Sequence, residues 1–405
     1  MSVTIKPFCA LRPKPEMAKD VAALPYDVMN TEEAKTEAAN KPYSFLHVDK
    51  AEIDCPKGTD LYSPVVYTKA KENLQKLADN VLIKDEKPML YIYQLTANGC
   101  TQTGLGACVS VAEYEQGVIK RHEFTRPDKE QDRINHMLAC SAHTGPIFMA
   151  YRDSADSTSP RALMSEWIAT NKPTYDFIAD DGVKHALWVI EDDMVQEKLI
   201  KAFEDVPCIY IADGHHRNEA ARKAANANSP ESLFYLAVIF PHDELAIMDY
   251  NRVVKDLNGL DKSEFLSAVK KIAMVQKSPA PVKPTCKNEV GMYMSGQWYQ
   301  LAIDKGETTD ITGQLDVSIL QNKILSPILG IQDPKADARI DFVGGIRGTE
   351  ELERRVNSGE MAVAFALYPT SMEELMAVAD ADQIMPPKST WFEPKLRSGL
   401  LVHVF

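Results

Sequence analysis

The segment Cys208-Ile-Tyr-Ile-Ala-Asp-Gly-His-His-Arg217 is the part of the sequence that most constrains the fold. An apolar run over 207–212 predicts a buried strand, and an alanine-rich run over 218–227 predicts a helix soon after it. Asp213 and Gly214 stand between the two and predict a tight turn. The first backbone N–H groups of a helix have no partners inside the helix, and the helix dipole adds positive charge there. The sequence therefore predicts an anion site at this corner.

Five residues of this corner could take part in chemistry. Gly214 lets the backbone approach a ligand closely, and Arg217 offers two parallel N–H donors to a phosphate or carboxylate. Asp213 can cap the helix, hold a histidine in one tautomer or bind a divalent metal. An ordinary Asp-Gly turn beside two packed histidines is the structural alternative. His215 and His216 alone make a poor metal site, since adjacent residues on a helix do not share a face.

A second polar cluster follows a short strand-like stretch at 118–119. It comprises Lys120, Arg121, His122, Glu123, Phe124, Thr125, Arg126 and Pro127, with Arg133, His136 and the Gly-Pro-Ile-Phe stretch 145–148 further on. Basic groups around one carboxylate are expected where a site faces polyanions, because the cations bind phosphate while Glu123 accepts a proton. A solvated charged loop is the alternative interpretation.

A third cluster, over 385–395, contains two prolines followed by Lys388 and Ser389, which could complete an anion site. Gly344-Gly345 is a weak signal, because it matches neither the dinucleotide-binding fingerprint nor the P-loop. The sequence also contains no GxSxG and no HExxH motif. These absences argue against serine hydrolases of the α/β type and against zincin proteases.

The remaining pattern mixes hairpins with helices and therefore predicts an α+β fold with mixed sheets. Asn98-Gly99 predicts a type I′ turn between strands at 89–96 and 101–111, and Ser295-Gly296 predicts a second hairpin over 291–303. Helices are predicted after a cap at Asn30 or Thr31 and over 64–79, 193–204, 218–227, 316–325 and 371–381. Three prolines in 277–284 predict a loop or linker. We expect two domains, 1–260 with the first two clusters and 261–405 with the third.

Composition excludes several classes of protein. The 405 residues include 45 Lys and Arg against 58 Asp and Glu, a formal net charge of −13 that disfavours binding to duplex DNA. Apolar stretches are too short to cross a bilayer, and the N-terminus lacks the apolar core of a secretory signal. The seven widely spaced cysteines include no CxxC pair and are interpreted as reduced thiols. We expect a cytoplasmic protein with no membrane partner.

The sequence resembles the DUF1015 family, which is named for having no assigned function. The matching stretches are IKPFCALRP at 5–13, LPYDV at 24–28, RHEFTRP at 121–127, GPIF at 145–148, IADGHHRNEAA at 211–221, LDVSILQNKIL at 315–325, DFVGG at 341–345 and MPPKSTWFEPKLRSGLL at 385–401. The DGHHR segment is also similar to that of the ParB/sulfiredoxin-like superfamily, which includes free-serine kinases that make O-phosphoserine. The resemblance implies a ParB/sulfiredoxin-like core and a helix start that binds nucleotide phosphates.

This resemblance leads to the hypothesis of a nucleotide-dependent phosphotransferase for a small hydroxylated metabolite, with free L-serine as the best single acceptor. It implies ATP or ADP with Mg²⁺ as cofactor. Catalytic roles are expected for Glu123, His216 and Asp213, phosphate or nucleotide binding for Gly214, His215, Arg217, Arg126, Arg133, Lys388 and Ser389, and substrate binding for His122, Tyr26 and Asp27. A nucleotide-binding regulatory protein without turnover, and a hydrolase that releases phosphate, are the alternatives.

Overall fold

The chain folds into two compact units. The structure, a computed structural model, describes residues 2–154, 156–226, 229–304, 306 and 310–405. The first unit consists of Met1–Leu245 and Pro394–Phe405, and the second of Ala246–Glu393. The boundary expected after residue 260 lies inside the second unit, and no pattern in the sequence indicates that the C-terminal residues return to the first.

Strands and helices are interspersed along the whole of the described chain. The strands are β1 (Ile5–Lys6), β2 (Ala10–Pro13), β3 (Leu82–Lys84), β4 (Leu90–Ala97), β5 (Cys100–Ser110), β6 (Ile119–Lys120), β7 (Ala142–His143), β8 (Ile147–Tyr151), β9 (Tyr175–Ile178), β10 (Lys184–Ile190), β11 (Ile209–Asp213), β12 (Phe234–Pro241), β13 (Ala246–Met248), β14 (Tyr250–Val254), β15 (Ala273–Ser278), β16 (Glu289–Met294), β17 (Gln297–Ile303), β18 (Ile340–Gly344), β19 (Val363–Leu367), β20 (Trp391–Glu393) and β21 (Val402–Val404).

The α-helices lie between these strands. They are α1 (Ala18–Val21), α2 (Thr31–Glu37), α3 (Leu46–Asp49), α4 (Pro64–Asn80), α5 (Val111–Glu115), α6 (Pro127–Cys140), α7 (Pro160–Thr170), α8 (Asp193–Glu204), α9 (His215–Ala224), α10 (Lys262–Lys270), α11 (Asp316–Leu320), α12 (Gly348–Asn357) and α13 (Met372–Asp380). None of the described helices combines the length and the apolar composition that crossing a bilayer requires.

The first unit is built on a nine-stranded mixed sheet. Its strands run in the order β6-β11-β8-β12-β5-β4-β10-β9, with β1 paired to β5. Most neighbours are antiparallel, while β11 pairs with β6 and β12 pairs with β8 in parallel. The hairpin predicted at Asn98-Gly99 joins β4 to β5, and both turn residues have positive φ. The predicted α+β class with mixed sheets is therefore confirmed.

A second, four-stranded sheet in this unit has the order β3-β2-β21-β7. Helices α3, α4, α6 and α9 pack in succession against one another beside it. A core that includes Val21, Phe45, Leu74 and Val402 lies between the small sheet and these helices, and a separate core covers the large sheet. The C-terminal strand thus lies inside this small sheet, between β2 and β7.

Local capping signals predict the starts of two helices, α2 and α13. Asn30 caps α2 in a capping box with Glu33, and Ser371 caps α13 in the same way with Glu374. The prediction of a helix over 218–227 starts too late, because α9 begins directly after Gly214. The polar residues His-His-Arg at its start obscure the first turn, which apolar periodicity alone does not detect.

The second unit contains an antiparallel sheet in the order β15-β17-β16-β19-β14-β18 and a separate β13-β20 pair. Ser295 and Gly296 form the turn of the predicted β16–β17 hairpin, each with positive φ. The proline-rich stretch 277–284 lies within this unit, where it ends β15 and leads to β16. It is a loop of this unit and does not join the two units.

Two buried histidines are stacked where the C-terminal strand pairs with β7. His143 on β7 and His403 on β21 are stacked, with their Nδ1 atoms 3.1 Å apart. Burial lowers the pKa of His403 to about 4, and burial together with the neighbouring ring lowers the pKa of His143 well below its usual value. Both rings are therefore neutral in the folded protein at pH 7.

This pair predicts a loss of stability in mild acid. Histidines of an unfolded chain titrate near 6.5, so between about pH 6.5 and 4 the unfolded chain binds more protons than the folded one. The free energy of unfolding should fall with decreasing pH by about 1.4 kcal/mol per pH unit for each histidine that stays neutral. Urea denaturation at pH 7.5, 6 and 5 measures this slope. A His403→Gln variant should show a shallower slope, and an identical slope would contradict the assignment.

Candidate anion-binding site

The corner between β11 and α9 has the strand-turn-helix geometry that the sequence predicts. Asp213 is the last residue of β11, whose pairing with β8 is irregular between Ile211 and Asp213. Gly214 follows with φ 98° and ψ 28°, a left-handed conformation that disfavours any residue with a Cβ atom. Helix α9 then begins at His215, so its first N–H groups lie at the end of the strand.

Arg217 folds back over this turn. The side chain is 7% exposed, and a Cβ atom on Gly214 would lie 3.0 Å from its Nη2 and 3.1 Å from its Nε. Its Nη1 donates a hydrogen bond of 2.5 Å to the carbonyl of Pro146, at the start of β8. Its Nε is buried and makes no hydrogen bond within the described residues. A buried guanidinium N–H without an acceptor is costly and is expected where a ligand supplies the acceptor.

Arg217 faces a pocket of the first unit that also contains a second arginine. The pocket is lined by Tyr26, Asp49, Arg133, His136, Met137, Thr144, Gly145, Arg217 and Ser398. Because Gly145 has no side chain, several of these groups can approach one another closely. A Cβ atom there would lie 3.0 Å from Ser398 Oγ, 3.4 Å from Arg217 Nη1 and 4.0 Å from Asp49 Oδ2.

Helix α6 supplies the second arginine. Arg133 is buried, lies 3.9 Å above the ring of Tyr26 and donates from Nε and Nη2 to Asp132 at 2.9 and 2.7 Å. Burial and the charge of Asp27 raise the pKa of Tyr26, so its hydroxyl is protonated at neutral pH. The structure thus brings together Tyr26, Arg133 and Arg217, which belong to separate motifs of the sequence.

The loop between β6 and α6 contacts the first residues of α9. His122 donates its backbone N–H to His215 Nε2 at 3.5 Å, and the two rings meet edge to face at 4.4 Å. His215 Nδ1 lies 3.8 Å from Glu123 Oε2. Arg126 donates its backbone N–H to His216 Nδ1 at 3.4 Å. The predicted residues of the second cluster therefore contact those of the first.

Burial and these contacts determine whether each histidine is charged and which ring nitrogen carries the proton. Burial lowers the pKa of His122 to about 4, lowers that of His215 well below its usual value and also lowers that of His216. A neutral ring that accepts at one nitrogen carries its proton on the other. His215 accepts at Nε2 and so directs Nδ1–H toward Glu123, while His216 accepts at Nδ1 and carries its proton on Nε2.

Asp213 is held by a lysine that is not among the predicted site residues. Lys395 Nζ lies 2.7 Å from Asp213 Oδ2 within the first unit. Burial opposes ionisation, but the charges of Lys395 and Arg217 hold the pKa of Asp213 well below its usual range. Asp213 is therefore ionised at neutral pH, and its expected catalytic role stays a prediction. The proline-rich motif over 385–395, which ends at Lys395, is the signal in the sequence that could have identified it.

Two predicted residues of the same motif, Lys388 and Ser389, belong to the second unit. Lys388 Nζ lies 5.7 Å from the ring of Tyr250, and Ser389 Oγ donates to the carbonyl of Pro386 at 2.6 Å. Their expected role in the phosphate site stays a prediction.

The described residues contain no group of three His, Cys, Asp or Glu side chains arranged to hold a metal ion. Mg²⁺ in nucleotide sites commonly uses only one or two carboxylates together with phosphate oxygens. Asp27 is exposed and close enough to His216 for its charge to favour protonation of that ring. Its expected role in substrate binding stays a prediction.

The geometry at Gly214 predicts a sharp cost for adding one methyl group. In Gly214→Ala the left-handed backbone conformation would be strained by the new Cβ, and this atom would also lie too close to the Arg217 guanidinium. The variant should therefore lose about 1–3 kcal/mol of stability. Denaturant unfolding measures the loss. Gly182→Ala is the matched control, since its φ is also positive but a Cβ there meets nothing within 4 Å. Equal losses in both variants would contradict a special role for the Arg217 contact.

Several solved structures are similar to this chain at low sequence identity. A point mutant of a free serine kinase in complex with AMP is 14% identical, with a TM-score of 0.39 over 73% of this chain and 91% of that chain. A free serine kinase mutant in complex with ADP is 14% identical, with a TM-score of 0.38 over 73% and 92%. SbnI with a C-terminal truncation, from Staphylococcus aureus, is 13% identical, with a TM-score of 0.39 over 74% and 87%.

No curated protein matches the chain. The family model described as a protein of unknown function, DUF1015, matches residues 5–318, which is most of the chain and includes both clusters of the candidate site. The chain belongs to the DUF1015 family.

Proposed function

We propose that this protein is a nucleotide-dependent phosphotransferase that acts on a small hydroxylated metabolite, with free L-serine as the acceptor. The observation that carries the proposal is the buried Arg217 guanidinium at the start of α9, whose Nε has no acceptor among the residues that the structure describes. Arg133 lines the same pocket. Two buried arginines and a helix N-terminus form an environment suited to phosphate. The expected ParB/sulfiredoxin-like kinship stays a prediction.

Phosphoryl transfer depends on positioning and on neutralising charge, and it needs little covalent help from the protein. Arg217 is preorganised for this, because its contacts with Gly214 and Pro146 fix the guanidinium before a ligand binds. Arg133 is fixed in a similar way between Asp132 and the ring of Tyr26. Neither side chain needs to be reoriented at the moment of transfer.

Glu123 is the residue we assign as the proton acceptor for the substrate hydroxyl. Its carboxylate is partly exposed, and its Oε2 lies 3.8 Å from His215 Nδ1, the ring nitrogen that carries the proton. His216 carries its proton on Nε2, so this nitrogen can donate a hydrogen bond to a phosphate oxygen but cannot act as base. Asp213 is engaged by Lys395 and serves to position that corner.

The side chains that line the pocket carry charges of both signs, which would match the two charges of an amino acid. Asp49 lies opposite Arg217 across Gly145, and its Oδ1 accepts a hydrogen bond of 2.8 Å from the Thr144 hydroxyl. A carboxylate facing guanidinium groups can bind an ammonium while the guanidinium groups bind a carboxylate or phosphate. L-Serine adds the hydroxyl that Glu123 would deprotonate.

The nucleotide is ATP or ADP, and Mg²⁺ would neutralise charge on the transferred phosphate when bound. Asp27 is the residue that would contribute to holding the ion, together with phosphate oxygens. This chain supplies the arginines and the helix N-terminus, which orient the phosphates whichever nucleotide is used.

The decisive experiment mixes the purified protein with L-serine, Mg²⁺ and either ATP or ADP, and measures O-phosphoserine by mass spectrometry. Arg217→Met should lower kcat/KM at least tenfold, because it removes a charged contact to phosphate in the transition state. A tenfold change corresponds to about 1.4 kcal/mol of transition-state binding. Glu123→Gln should lower kcat at least tenfold and leave nucleotide binding unchanged, because the carboxylate acts on the acceptor. Lys198→Met, an exposed change on α8, is the control and should retain full activity.

Four outcomes would contradict the proposal in different ways. No phosphorylated product with either nucleotide over a panel of hydroxylated metabolites would exclude the phosphotransferase. Tight nucleotide binding without turnover, unaffected by Glu123→Gln, would instead support a regulatory nucleotide-binding protein. Phosphate release that needs no acceptor would support a hydrolase. Wild-type activity in Arg217→Met would show that the corner is only structural.

A further inference from the structure

The second unit contains a buried arginine without an acidic partner. Arg252, on β14, is 3% exposed, and no carboxylate of the described residues forms a salt bridge with it. Its guanidinium donates to the backbone carbonyls of Tyr250 and Pro387, the latter at 3.4 Å. Backbone carbonyls satisfy N–H groups but carry no net charge. The positive charge of Arg252 is therefore buried without compensation.

Such a charge is unfavourable unless an anion accompanies it. Moving an ion out of water costs several kcal/mol, which an ion pair offsets only when the counter-charge is present. Burial lowers the pKa of Arg252 to about 10, so the side chain still carries its charge at pH 7. An anionic ligand is the partner that would compensate it.

A second cation of this unit, Lys388, lies beside the ring of Tyr250. Lys388 has φ 60°, a left-handed conformation that is uncommon for a lysine. The loop around it is fixed by two hydrogen bonds, from Ser389 Oγ to Pro386 O at 2.6 Å and from Thr370 Oγ1 to Ser389 O at 3.0 Å. Local backbone strain held by surrounding contacts is typical of functional sites.

Aromatic rings connect the two cations. The Arg252 guanidinium lies 5.4 Å from the ring of Phe342, and the Lys388 ammonium lies 5.7 Å from the ring of Tyr250. Tyr250 meets both Phe342 and Trp391 edge to face, at 6.2 and 5.3 Å. All three rings are only partly buried. They therefore offer surface on which a planar group can stack.

The Gly344-Gly345 pair, a weak signal in the sequence, borders this aromatic cluster. A Cβ atom on Gly344 would lie 2.9 Å from the indole of Trp391, and one on Gly345 would lie 2.4 Å from Asp249 Oδ1. The first glycine lets Trp391 lie directly against β18, and the second accommodates the Asp249 carboxylate. The two glycines thus leave room for Trp391 and Asp249 to pack closely against the backbone.

We propose that the second unit has its own binding site for a ligand that carries both a phosphate and a planar ring, such as a nucleoside monophosphate. Arg252 and Lys388 bind the phosphate, and Tyr250 and Trp391 contact the ring. Arg–phosphate pairing and stacking on aromatic side chains are the two interactions that recognise such a molecule. This site is independent of the phosphotransferase assigned to the first unit.

The test measures AMP binding to the full chain by calorimetry in an Arg217→Met background, which disables the site of the first unit. Lys388→Asn should weaken AMP binding about tenfold, as expected for the loss of one charged phosphate contact. Asparagine tolerates the left-handed conformation, so this change removes the charge without adding backbone strain. Lys283→Asn, at an exposed loop lysine of the same unit, is the matched control and should have no effect.

Two further probes separate the parts of the ligand. Adenosine and inorganic phosphate should each bind more weakly than AMP, and Trp391→Phe should remove the change in tryptophan fluorescence that AMP causes. The proposal is overturned if the Arg217→Met chain no longer binds AMP, or if Lys388→Asn binds it as the parent does. Failure of the phosphotransferase would appear differently, as absent product in the wild-type assay.

Discussion

The contact between the Arg217 guanidinium and Gly214 is the constraint around which the candidate site is arranged. It requires a residue without a side chain at the turn, and it places the guanidinium where the Pro146 carbonyl can accept from it. The same arginine reaches the space left by Gly145, which Ser398 and Asp49 also border. One side chain therefore links the end of β11, the start of β8 and the pocket. Without it the corner would be an ordinary strand-to-helix turn.

The electrostatics of the site differ from those of the whole protein. The chain carries a formal charge of −13, yet Arg133 and Arg217 line the pocket. Lys395 adds a third positive charge beside Asp213, at the turn between β11 and α9. Burial keeps the neighbouring histidines neutral, so they act as oriented donors and acceptors and do not repel the arginines. A local cationic pocket in an acidic protein can still concentrate anionic ligands.

Signals confined to a few neighbouring residues are readable from the sequence. Asn98-Gly99 predicts its hairpin, Asn30 and Ser371 predict their helix caps, and the α+β class follows from the mixture of elements. Contacts between distant residues are not readable in this way. Lys395 is 182 residues from Asp213, and no local pattern encodes that pairing. Asp49 and Ser398 escape prediction for the same reason, because only the folded chain brings them to Arg217.

The position of β21 has a consequence for how the protein forms during synthesis. This strand completes the small sheet between β2 and β7, but the ribosome makes it only after the entire second unit. While the second unit is being translated, β2 and β7 of the nascent first unit therefore lack their common partner strand, and part of the core beneath them is exposed. Exposed edges and apolar surface favour misassembly and binding by chaperones. Strand β21 also carries His403, so its addition buries the histidine pair and at the same time pairs β2 and β7.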